Sequence, residues 1–167
     1  GTTLKESIIN ILSKLFPKKI IIVSSAPQIR YPDCYGIDMS VMKSFVAFQA
    51  MIELCEEMGK EDFIEEIYER CKAQEDLPKE EMVNHVKELY AMFTDKQISD
   101  RIAAIVRPAN LKYELEVLFQ TIEGLHLACP ENLGDWYFSG DYPTPGGTKV
   151  VNKAFINYME KSSERAY

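Results

Sequence analysis

The run Ile20-Ile21-Ile22-Val23 constrains this chain more than any other feature. Four consecutive branched apolar residues leave no polar face for water, so the run reads as a strand covered on both sides, as in parallel sheets. A parallel strand needs a crossover connection, usually a helix. Just upstream, Leu4, Ile8, Ile9, Ile11, Leu12, Leu15 and Phe16 recur at helical spacing. That spacing predicts a helix from about residue 3 to 16, capped by Thr2 or Thr3 and stopped by Pro17. Helix followed by buried strand is half of a βαβ unit. The strand expected before the helix does not precede it here, so the sequence reads as a piece that begins inside a domain.

Ser24-Ser25-Ala26-Pro27 follows the strand, and then Arg30-Tyr31-Pro32-Asp33-Cys34-Tyr35-Gly36-Ile37-Asp38-Met39-Ser40. In open parallel sheets, ligands bind outside the carboxyl ends of the strands. A connection this long is unusual and favours a functional loop. Gly1-Thr2-Thr3 stands at the predicted helix start. There, free N–H groups, a partial positive charge and threonine hydroxyls suit a phosphate. The same tripeptide also serves as an ordinary helix cap.

Helical patterning dominates the middle of the chain. Ser40 opens a predicted helix to about Met58, with Val41, Phe45, Phe48, Ile52 and Cys55 on one face and Gly59 as its stop. Further helices are predicted over 61–75, 79–93 and 95–106, with Pro78 at a first position and Asp95 as a candidate cap. Their narrow apolar stripes are Ile64, Ile67, Tyr68 and Cys71, then Met82, Val86, Leu89, Tyr90 and Phe93. A helix of that length is marginal alone, so this block must pack against something. After Pro108 the pattern alternates again. Leu115–Phe119 reads as a strand, Thr121–Cys129 as a helix and Trp136-Tyr137-Phe138 as a third strand. Asp141–Gly147 reads as a Pro/Gly loop and Val150–Lys161 as a final helix. Three segments result: 1–60, a helical insertion at 61–110, and 111–167.

A net charge of −7 argues against a nucleic-acid or anionic-membrane binder. No apolar run approaches the roughly 20 residues that span a bilayer, and no segment resembles a signal peptide. Cys34, Cys55, Cys71 and Cys129 form no C-x-x-C pair and read as reduced cytoplasmic thiols, mostly small core residues. His85 and His126 are too scattered for a metal site.

Three segments carry a family resemblance. They are Gly1-Thr2-Thr3, the run from Ser25-Ala26-Pro27 through Tyr31-Pro32-x-x-Tyr35-Gly36-Ile37-Asp38-Met39, and Asp135-Trp136-Tyr137-Phe138-Ser139-Gly140-Asp141-Tyr142-Pro143-Thr144. Together they resemble the glutamine phosphoribosylpyrophosphate amidotransferases (amidophosphoribosyltransferases), over residues 1–50 and about 113–161. The resemblance implies an α/β fold, helix-rich overall. It would be the C-terminal part of a type I phosphoribosyltransferase domain, a Rossmann-like parallel sheet with a helical insertion. It implies formation of 5-phosphoribosylamine from phosphoribosylpyrophosphate and glutamine-derived ammonia in purine synthesis. By similarity, Gly1, Thr2 and Thr3 would hold the 5′-phosphate, Tyr35 and Asp38 would lie near the site, and Arg30 would help order the loop. No catalytic side chain is identified.

Mg2+ would enter through the substrate pyrophosphate. Some relatives use a C-x-x-C for an iron–sulfur cluster; Asp135, Trp136 and Tyr137 stand in that region here, so no cluster is expected. The family's acidic pair and its glutaminase half, with an N-terminal cysteine, are not in this sequence. The implied partners are those N-terminal glutaminase and phosphoribosyltransferase portions and, in full-length form, further copies of the protein; neither nucleic acid nor membrane is implied. The isolated chain is expected to be inactive. Two other readings compete. One is a non-catalytic interaction or regulatory module that docks through the apolar stripe of residues 61–107. The other is a phosphoribosyltransferase acting on a nucleobase.

Overall fold

The Ile20–Val23 run does form a strand, β1 (Lys19–Ser24), in the computed structural model, which describes residues 4–33, 39–131 and 134–166. Its partner is β2 (Glu114–Phe119), parallel and in register from Lys19 opposite Glu114 to Ser24 opposite Phe119. Lys19 bridges Glu114 at 2.9 Å and Glu116 at 2.6 Å across the start of the pair. Among the described residues the sheet has these two strands only. The expectation of burial on both faces is therefore corrected. Ile20, Leu115 and Val117 point into the core, but Ile21 is 52% and Val23 72% exposed. A strand alternates its side chains between faces, and nothing described covers the second face.

Upstream of β1, a wide π-type turn over Leu4–Ile8 leads into helix α1 (Ile9–Ser13). Among the described side chains of this segment only Ile9 is buried; Ile11, Leu12, Leu15 and Phe16 are exposed. The helix ends at Ser13, three residues before the predicted end at residue 16. Tight bonds from the N–H groups of Lys14, Leu15 and Phe16 close it, and Phe16 turns the chain at φ +51° ahead of Pro17.

The core lies among the helices on the other side of the sheet. The helix predicted from Ser40 is corrected: a single 3-10 turn (Met42–Ser44) comes first, and α2 (Val46–Glu57) starts after Phe45. Gly59 ends α2 at φ +63°, with its N–H on the Glu56 carbonyl. Helix α3 (Glu61–Lys72) buries Ile64, Ile67 and Cys71 as its stripe requires. The helix predicted over 79–93 is broken into a 3-10 turn (Lys79–Glu81) and α4 (Val86–Ala91). Gln74 accounts for part of the break: its buried side chain accepts the Val83 N–H at 2.6 Å and bonds the Val83 carbonyl at 3.3 Å.

Helix α5 (Asp95–Val106) is where periodicity places it, but Thr94 is the cap and Asp95 is not. Thr94 Oγ1 accepts the Gln97 N–H while Gln97 Oε1 accepts the Thr94 N–H, a reciprocal capping box. α5 packs on both α2 and β2, and α3 packs on the last helix, α8 (Pro145–Met159). Phe48 of α2 meets Phe155 and Tyr158 of α8 edge-on, at 6.2 and 4.8 Å. Phe48 is fully buried, and truncating such a residue to alanine costs roughly 3–5 kcal/mol. Helix α6 (Ile122–Ala128) follows β2, capped by Thr121.

Two further expectations are corrected near the C-terminus. Trp136-Tyr137-Phe138 is not a strand but one helical turn, α7 (Trp136–Ser139), in which the N–H groups of Phe138 and Ser139 donate to the Asp135 carbonyl. Ser139 Oγ also reaches the Asp135 carboxylate at 2.8 Å. The predicted loop at 141–147 stops at Thr144, because Pro145 starts α8 with its φ already helical.

Candidate functional site

The carboxyl ends of both strands meet the loop that leaves β1. The Gln120 N–H donates to the Ser24 carbonyl at 3.2 Å, and Ser24 Oγ folds onto the next turn by accepting the Ala26 N–H and donating to its carbonyl. A cleft of about 280 Å³ opens there, walled by Gln28 and Arg30 from the loop, Asp95 and Ser99 from α5, Phe119 from β2 and Phe138 from α7.

Gln28 is 4% exposed, and both ends of its amide are used. Its Nε2 donates to the Asp95 carbonyl and to Ser99 Oγ, each at 2.8 Å, while its Oε1 accepts two bonds from the Arg30 guanidinium at 2.7 and 3.1 Å. Arg30 Nη2 also pairs with the Asp95 carboxylate. The guanidinium lies 5.2 Å from the centre of the Tyr90 ring, a cation–π placement. Tyr90 Oη donates to the Arg30 carbonyl at 3.0 Å. Burial pushes the Tyr90 phenol well above its ordinary value, so it stays a donor at neutral pH.

The third resemblance segment clamps the same loop from the other side. The Tyr137 carbonyl accepts the N–H groups of both Arg30 and Tyr31, at 2.9 and 3.1 Å. Tyr142 Oη donates to the Pro32 carbonyl at 2.6 Å, and Tyr137 Oη to Asp33 at 3.3 Å. Gly140 sits at φ +74° against Tyr31, where a Cβ would come within 2.8 Å of the ring and of Asn84 Nδ2. Asn84 Nδ2 holds the Gly140 carbonyl at 3.1 Å. Tyr31 is 2% exposed, and burial raises its phenol too. The Asp33 N–H donates to the Met39 carbonyl at 2.9 Å, which joins the two described ends of the loop.

Of the residues singled out from the sequence, Arg30 is thus tied to α4, α5 and α7 at once. Gly1, Thr2, Thr3, Tyr35, Asp38 and also Cys34 lie outside the described residues. Sequence reasoning missed Tyr90, Asp95 and Ser99 as parts of this region; Gln28 and Tyr142 lay within the segments it marked but were given no role. Their partners lie far along the chain, and periodicity marks Tyr90 only as a core residue. Among the described residues no group of three His, Cys, Asp or Glu side chains could hold a metal ion. Cys55 and Cys71 are buried free thiols, with Cys55 pushed up to about 11 and Cys71 to about 12 by burial; Cys129 is exposed. No described helix is long and apolar enough to cross a membrane.

No family model matches the chain, and no solved structure matches it. Curated relatives do. The chain is 38% identical over 65 residues to the amidophosphoribosyltransferase of Haemophilus influenzae, covering 38% of this chain and 13% of that protein. With the amidophosphoribosyltransferase of Pasteurella multocida it is 44% identical over 48 residues, 29% of this chain and 9% of that one. With that of Lachancea kluyveri it is 38% identical over 77 residues, 43% and 15%. The chain thus matches a small fraction of each relative's length, and over less than half of its own length it is similar to amidophosphoribosyltransferases.

Proposed function

We propose that this chain is part of an amidophosphoribosyltransferase and forms one wall of its phosphosugar site. The observation that carries the reading is the meeting of two segments far apart in sequence. Residues 28–33 and 137–142, each part of the resemblance, bond directly to one another beside the carboxyl ends of a parallel strand pair. That is where open α/β sheets bind ligands. The similarity to three amidophosphoribosyltransferases supports the same reading.

In this reading ammonia attacks C1 of phosphoribosylpyrophosphate; the new C–N bond forms as the C1–O bond to pyrophosphate breaks, and ammonia gives up a proton. No side chain needs to act as a nucleophile. The protein contributes positioning and charge stabilisation. Gly1, Thr2 and Thr3 hold the 5′-phosphate, Tyr35 and Asp38 lie near the site, and Arg30 helps order the loop. Mg2+ arrives with the substrate pyrophosphate, as it often does with phosphate substrates. The open outer face of the sheet, with Ile21, Val23 and Leu118 exposed, packs against the preceding part of the same polypeptide.

The competing interaction module would need an exposed apolar stripe at 61–107. Ile64, Ile67, Cys71, Val86, Leu89, Tyr90 and Phe93 are buried and Tyr68 and Met82 half-buried, so the stripe itself faces the core, while Leu77 and Val83 of the same block are exposed.

The test is product formation from phosphoribosylpyrophosphate, Mg2+ and ammonia, run on the 167-residue chain and on the longest natural polypeptide that contains it. Turnover is expected only from the longer polypeptide, with ammonia preferred to free nucleobases as acceptor. Preference for a nucleobase would move the reading to a different phosphoribosyltransferase. Failure of the longer polypeptide to bind phosphoribosylpyrophosphate in calorimetry would end it.

A further inference from the structure

The loop that leaves β1 is held on one side by helices that the sequence marks as an insertion. A guanidinium with most of its surface covered must be paired, and the Arg30 side chain is 15% exposed. Among the described residues, Asp95 is the only carboxylate within ion-pairing distance of it. Helix α5 grips Arg30 a second time through Gln28. The Asp95 carbonyl and Ser99 Oγ fix the amide nitrogen of Gln28, and this aims the amide oxygen at the guanidinium. Helix α4 adds Tyr90, whose hydroxyl takes the Arg30 carbonyl and whose ring lies beside the charge.

We propose that Tyr90, Asp95 and Ser99 are positioning residues, a seat built by α4 and α5 that sets where the loop from β1 runs. The seat fixes Arg30 at its side chain and its carbonyl, while the Tyr137 carbonyl takes the N–H groups of Arg30 and Tyr31 from the opposite side. Asp33 and Met39 then tie the two ends of the loop together. The helical block is thereby part of the loop's support, and shifts in α5 pass to the loop through Asp95 and Gln28. Misplacing a substrate-positioning group by about 1 Å can cost on the order of 100-fold in rate.

The structural arm uses the 167-residue chain and does not depend on the proposed reaction. Asp95→Asn and Ser99→Ala are each expected to speed amide hydrogen exchange at Arg30 and Tyr31 by about tenfold or more. Asp95→Asn leaves the largely covered guanidinium without its charge partner, so a lowered thermal midpoint is expected there; Ser99→Ala removes no charge and should keep the midpoint within about 2 °C of wild type. In an Arg30→Gln background, Asp95→Asn should add nothing further. Exchange within twofold of wild type in both single variants would overturn the seat, as would full additivity with Arg30→Gln. The activity arm rests on the function proposed above. In the longest natural polypeptide, Asp95→Asn should lower kcat/KM for phosphoribosylpyrophosphate about tenfold at a temperature where the variant remains folded. A wild type without turnover counts against the reaction alone, and the exchange result then decides the seat. An active wild type whose Asp95→Asn variant keeps kcat/KM within twofold overturns the seat.

Discussion

Gly140 and Gly59 both adopt the left-handed backbone region, at φ +74° and +63°, but their surroundings differ. A Cβ at Gly59 would meet nothing within 4 Å, so alanine there pays only the backbone strain, roughly 1–2 kcal/mol. A Cβ at Gly140 would press into the Tyr31 ring and Asn84. Overpacking then adds roughly 1–3 kcal/mol to the same strain. Denaturant unfolding should therefore rank Gly140→Ala as clearly more destabilised than Gly59→Ala, and equal losses would contradict the contact. The difference reaches beyond stability. Tyr31 is held between Gly140 and Tyr90, its ring centre 5.3 Å from that of Tyr90, so displacing it also disturbs the backbone bonds of Arg30.

At the scale of elements, α3 and α4 are joined by a bidentate pair. Arg70 donates twice to Glu88, each bond 2.8 Å, with His85 beside both. The Arg70 hydrogen bonds hold the Glu88 carboxyl below its ordinary value of 4.5, against a smaller opposing effect of burial and with help from His85. A lowered folded-state value adds stability that is full above pH 4.5 and is lost as pH falls through that lowered value. Both side chains are well solvated, so the effect is small. Thermal melts should show Glu88→Gln slightly below wild type at pH 7, with the gap closing under acid. A gap that widens below pH 4 would contradict the assignment.

The elements also show what a single sequence reveals. α3 and α5 were legible because their apolar residues repeat every three or four positions and face one core. Trp136-Tyr137-Phe138 misled because three adjacent aromatics mimic a strand, while the local bonds to Asp135 close a helical turn instead. The 79–93 stripe had the right period, but no pattern of apolar residues reports that Gln74 will capture the Val83 backbone. The site was legible only as a loop. Arg30 was visible in it, but Asp95 and Tyr90 come from sixty or more residues away and are joined to it by packing.

For the whole molecule, the outer face of the β1–β2 pair is the open question posed to solvent. Ile21, Val23 and Leu118 are exposed on strands whose outer edges are unpaired among the described residues. Such faces and edges favour association. Val23→Lys should cost the isolated chain little, because Val23 is 72% exposed, and should reduce self-association in analytical ultracentrifugation. In the longest natural polypeptide the same substitution should lower the thermal midpoint, if that face is covered there. An unchanged midpoint would count against the proposed packing of the outer face.

The pairing of β1 with β2 also sets an order in time. β1 ends at Ser24 and its partner begins at Glu114, with helices α2 to α5 made in between. At roughly 5–20 residues per second on the ribosome, the Ile-Ile-Ile-Val run waits several seconds for its neighbour. Helices α2 and α3 need only nearby residues and can begin to form first, whereas a parallel pair closed over so long a span is intrinsically slow. During that wait a strongly strand-forming apolar segment has no partner among the described residues, so a nascent chain paused before Glu114 is the state most in need of a chaperone.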